Sequence, residues 1–71
     1  MVAANDAGPS YTLNFNDAVQ IWLRYWQGEY QNRIAASYDV NPARVNEVLK
    51  GKRLPGSEAV AREIWRRGQA A

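Results

Sequence analysis

The chain predicts an all-α fold of four short helices, the second and third joined by a tight turn, with a flexible N-terminal tail. Three observations predict it. Apolar residues recur at three- and four-residue spacing in four separate segments. Three of those segments open behind a capping residue, Asn14, Asn41 or Ser57, and glycines stop the first and third. No strand pattern survives either: Tyr11, Leu13 and Phe15 alternate with polar residues, but the run overlaps the cap of the first helix.

The first helix is expected over 15–27, with Asp17 three residues after the Asn14 cap and Gly28 as the left-handed stop. Its apolar residues, among them Phe15, Ala18, Val19, Ile21, Trp22, Leu23, Tyr25 and Trp26, cover more than one core-facing stripe requires. This helix is therefore read as a central pillar gripped on two sides. A second use of the surplus is a dimer or partner surface containing Trp22, Trp26 or Trp65. The second helix spans 30–38 and carries Ile34, Ala35 and Tyr38. Asp39 stands where the backbone must turn left-handed, Val40 plugs the turn, and Asn41 caps a third helix whose first residue is Pro42. Val45, Val48 and Leu49 lock that helix onto the second, and Gly51 ends it. After the turn Leu54-Pro55-Gly56, Ser57 caps a fourth helix over 58–67, in which Ile64 and Trp65 close the core.

With 71 residues the chain forms one small domain. Residues 1–12 are too polar and too broken by Gly and Pro to pack, so the domain is expected over 13–68, with a flexible end at 69–71. Roughly 55 residues of core give marginal stability, which self-association would raise. The chain has no cysteine, which fits a reducing interior. No signal peptide is visible. The longest apolar-rich run, 18–26, is about half a membrane span and is broken by Gln20 and Arg24, so a cytoplasmic location and no membrane partner are expected.

A net charge of +2 hides an uneven distribution. Residues 1–40 balance at −2, whereas residues 41–71 balance at +4 through Arg44, Lys50, Lys52, Arg53, Arg62, Arg66 and Arg67 against three glutamates. The basic half contains the third helix. Enzymatic chemistry is poorly provided for: there is no His and no Cys, no carboxylate pair is spaced for a pocket, and the glycines form no phosphate loop. No enzyme, cofactor or metal site is expected.

The segment QNRIAASYDVNPARVNEVLK, followed by GKR, resembles the helix-turn-helix of small bacterial and phage DNA-binding regulators. In that family an IAxxYGV turn, a reading helix of the type VSxVLxGK and a trailing basic loop recur. Here they stand as IAASYDV, VNEVLKGK and GKR, with Asp39 in place of the usual Gly. The resemblance covers residues 13–57 and implies double-stranded DNA as the partner, a role in transcription regulation and a homodimer on paired half-sites.

With Val45, Val48 and Leu49 facing inward, the third helix turns Ala43, Arg44, Asn46 and Glu47 outward to read bases. Arg44 is matched to guanine, Asn46 to adenine and Glu47 to cytosine N4, while Ala43 permits close approach and Asn41 ranks below them because it caps. Phosphate contacts are expected from Gln31, Asn32, Arg33, Lys50, Lys52 and Arg53, the latter two on a flexible loop. The alternative is a small protein-interaction adaptor, serving a polymerase or a phage assembly or recombination factor, that uses the aromatic face of the first helix.

Overall fold

The computed structural model describes residues 11–70. It is all-helical over those residues: α1 (Phe15–Trp26), α2 (Gln31–Tyr38), α3 (Pro42–Leu49) and α4 (Ser57–Ala70). Of the tail expected over 1–12, residues 1–10 lie outside the described residues.

α1 begins on a full capping box. The Asn14 side chain accepts the Asp17 N–H at 2.8 Å, and the Asp17 carboxylate accepts the Asn14 N–H at 3.0 Å, satisfying donors that a helix start leaves free. The Tyr11 hydroxyl donates to the same carboxylate at 2.6 Å, and its N–H reaches the Asp39 carbonyl at 3.4 Å. Tyr11 is thereby tied to both α1 and the turn after α2. Gly28, at φ 101°, redirects the chain after Gln27.

α2 and α3 form the tight pair that the spacing predicts. Asp39 adopts φ 57° and ψ 47°, the left-handed conformation, and Val40 follows it into the core at 4% exposure. The Val40 N–H donates to Ala35 O at 3.1 Å and the Asp39 N–H to Ala36 O at 3.2 Å, so the turn closes the carbonyls that α2 leaves open. Asn41 then accepts the Ala43 N–H at 2.8 Å, and Pro42 fills the first helical position, where its missing N–H costs nothing. Ala35, fully buried, has no side chain beyond Cβ to hold the helices apart.

α1 is the pillar: α4, α3 and α2 all pack on it. Leu13, Ala18, Val19, Ile21, Trp22, Ile34, Ala35, Val40, Val45, Val48 and Ala61 make one buried cluster, with Leu23, Trp26, Tyr38, Leu49 and Leu54 around it. Fully burying such a side chain contributes about 1.5–3 kcal/mol, so this single cluster holds the fold. Leu54 sits against it at φ 53°, a left-handed non-glycine whose strain is offset by its burial.

α4 differs from expectation in three respects. It starts one residue early, so Ser57 lies inside the helix; its hydroxyl, 2% exposed, accepts the Trp22 indole N–H at 3.2 Å. The helix also runs through Gly68 to Ala70, because one helical glycine costs about 1 kcal/mol, too little to end a helix anchored by Trp65. Ile64 does not close the core. Ser57, Ala61 and Trp65, spaced by four, face α1, and this turns Ile64 aside to 44% exposure.

Candidate nucleic-acid interface

Outward residues of α3 lie between the start of α2 and the loop that follows α3. Pro42 and Ala43 are exposed at its N-terminal end, while Arg44, Asn46 and Glu47 are half-buried along its length. Each of the three is already oriented by a neighbour. The Asn46 Nδ2 donates to the Gln31 Oε1 at 3.3 Å, joining the middle of α3 to the first residue of α2. That bond uses one N–H of Asn46. Its Oδ1 and its second N–H remain, which is the acceptor–donor pair that the adenine edge complements. Gln31 uses its oxygen in the bond to Asn46 and keeps its NH₂ as a donor.

Glu47 lies between two arginines. Its Oε2 is 3.1 Å from an Arg44 terminal nitrogen, and its Oε1 accepts from Arg53 Nε at 2.8 Å. The Arg53 hydrogen bond holds the Glu47 carboxyl below the usual carboxylate range; partial desolvation opposes this, and the charges of Arg44, Arg53 and Lys52 reinforce it. Glu47 is thus an anion at neutral pH with both oxygens engaged by guanidinium groups. Its first role in this arrangement is to position Arg44 and Arg53, ahead of the cytosine contact expected of it. The buried Arg44 Nε has no hydrogen-bond partner, which leaves a donor of that guanidinium unsatisfied.

The basic loop is folded back on α3. Gly51 turns at φ 76°, and the Lys52 and Arg53 N–H groups both donate to the Glu47 carbonyl, at 2.9 and 3.3 Å. One residue, Glu47, therefore fixes the loop through its backbone and Arg53 through its side chain. Lys50 and Lys52 stay exposed beside it. At the other border, Asn32 and Arg33 are exposed in the first turn of α2. Asn41 is exposed, but its oxygen is occupied by the Ala43 N–H.

Sequence reasoning missed Tyr30. It is 71% exposed and stands at the N-cap of α2, immediately before Gln31, with no side-chain capping bond. An aromatic residue immediately before the first residue of the helical pair was the available signal. The three tryptophans lie elsewhere, on the α1–α4 seam: Trp22 is buried at 7% exposure, and Trp26 and Trp65 are half-buried. Their rings touch in series, Trp22 to Trp26 tilted at 5.5 Å and Trp26 to Trp65 edge-to-face at 5.8 Å between centroids.

No helix of the described residues is long and apolar enough to cross a membrane. Set against protein-family models, curated proteins and solved structures, the chain matches none of them.

Proposed function

We propose that this chain binds double-stranded DNA sequence-specifically by laying α3 in the major groove, as a small cytoplasmic transcription regulator. One observation supports the reading: side chains of α3 are oriented by neighbouring side chains, Asn46 by Gln31 and Arg44, with Arg53 of the loop, by Glu47. Such preorganisation lowers the ordering cost of docking. Arg44 and Asn46 read base edges; Ala43 lets the helix end approach; Gln31, Asn32, Arg33, Lys50, Lys52 and Arg53 hold phosphates.

The reading is tested by selecting bound sites from a random duplex library and titrating the selected site against salt. Affinity is expected to fall as salt rises, because each phosphate contact releases counterions. Arg44→Ala and Asn46→Ala should each relax the preference at one base position by about 1–3 kcal/mol, whereas Lys52→Ala should weaken all sequences alike. Binding that shows no sequence enrichment and no salt dependence would refute the proposal.

A further inference from the structure

Five cations border the outward side of α3: Arg33 in the first turn of α2, Arg44 on α3, Lys50 at its C-cap, and Lys52 and Arg53 on the loop. They are not alike. Arg33, Lys50 and Lys52 enter no ion pair among the described residues, whereas Arg44 and Arg53 both lie on the one carboxylate of Glu47, at 3.1 and 2.8 Å. The Arg53 contact is made through Nε and the Arg44 Nε is buried, so both guanidinium groups are drawn in against the protein. The carboxylate is not needed to place the loop. The Glu47 carbonyl already accepts the Lys52 and Arg53 N–H groups, at 2.9 and 3.3 Å, and half-exposed ion pairs add only modestly to stability. What the carboxylate changes is the charge that this surface offers: two of its five cations are neutralised from within, by an anion that the Arg53 hydrogen bond keeps ionised.

We propose that Glu47 is a specificity gate: it withholds Arg44 and Arg53 from phosphate groups in general, so that a polyanion without matching bases meets only Arg33, Lys50 and Lys52. The reason lies in which ligands compete with the carboxylate. A phosphate is itself an anion and must displace Glu47, which then stands unpaired beside the nucleic-acid backbone; a guanidinium still paired with it brings no net positive charge to the duplex. A guanine edge offers neutral acceptors, and a guanidinium has five N–H donors, so Arg44 reaches that edge without leaving Glu47. The carboxylate therefore weakens the random complex more than the matched one. Its use in choosing bases rests on the DNA-binding reading, whereas the withholding of charge does not.

Retention of the full chain on heparin, a polyanion without bases, and binding to selected and random duplexes across a salt series test the gate. Glu47→Gln is compared with Glu63→Gln, which removes an equal charge on α4, where Glu63 is paired with Arg66 and Arg67. Each variant raises the net charge by one from +2, so general attraction alone moves both equally. Glu47→Gln should elute from heparin at higher salt than Glu63→Gln, and adding Arg53→Ala to it should lower the elution salt again. Its affinity for random duplex should rise roughly three- to tenfold at low salt, and log K should fall more steeply with log salt by about 0.9 for each guanidinium released. The selected site should gain less, so the ratio of selected to random affinity falls. Glu47→Ala should reproduce these shifts, with the far-ultraviolet helical signal of both variants matching the wild type. Equal elution of Glu47→Gln and Glu63→Gln overturns the proposal, as does an unchanged ratio of selected to random affinity. A wild type that selects no duplex removes the DNA reading, and the heparin comparison alone then decides on the gate.

Discussion

Ser57 shows how one hydroxyl can serve the core and not the cap that its position suggests. Its oxygen is the acceptor for the Trp22 indole N–H, and both residues are buried. Ser57→Ala removes that acceptor and should cost about 1–3 kcal/mol, because the buried N–H then lacks a partner. Urea denaturation followed by far-ultraviolet circular dichroism checks it; an unchanged midpoint would show that the indole finds another acceptor. Arg24, two residues beyond Trp22 along α1, has a comparable linking role. Its guanidinium donates to both Glu29 oxygens, at 2.6 and 2.9 Å, and to Ser37 Oγ at 2.7 Å, and it lies 5.6 Å from the centre of the Tyr38 ring. The planar fork joins α1 to the end of α2 in a way that a lysine ammonium has no geometry to copy.

Among the elements, the turn between α2 and α3 is the most exacting. Asp39 holds a left-handed conformation that costs a branched side chain about 1–2 kcal/mol, so Asp39→Val should lose about that much stability, whereas Asp39→Gly should stay within about 1 kcal/mol of wild type. Thermal unfolding of the two variants checks the difference, and equal losses would show that the Asp39 side chain has a role of its own. The sequence allowed this turn to be read because Asp, Asn and Pro occupy positions where backbone chemistry admits few residues. The same reasoning located α1, α2 and α3 to within a residue or so. It was weaker for α4, where Ser57 satisfies the pattern of a cap although a tryptophan 35 positions away uses its oxygen. The loop was equally hidden. Lys52 and Arg53 read as part of a free loop until the Glu47 carbonyl is seen to accept both of their backbone N–H groups. Spacing within a helix is local information, whereas the partner of a polar atom depends on how the chain returns.

At the scale of the whole molecule, carboxylates paired with arginines couple the fold to pH. The carboxyls of Glu29 and Glu47 are held below their ordinary value of 4.5, chiefly by hydrogen bonds from Arg24 and Arg53. A carboxyl whose folded value is lowered contributes stability that is fully present above its unfolded value and lost as pH falls through the folded one. The domain should therefore hold its stability down to about pH 5 and lose it progressively in more acid solution. Melting temperatures measured from neutral to acid pH check this, and Glu47→Gln should flatten part of the decline. Constant stability through the acid range would mean that solvent screens these pairs almost fully.

The series of tryptophans in contact has an optical consequence. Trp22, Trp26 and Trp65 stand within energy-transfer distance of one another along the seam, and α3 carries no aromatic residue. Intrinsic emission therefore reports on the α1–α4 seam. A fluorescence titration will respond to loosening of the seam, while the DNA contact proposed for α3 should leave it almost unchanged. The dye for following that event belongs on the duplex.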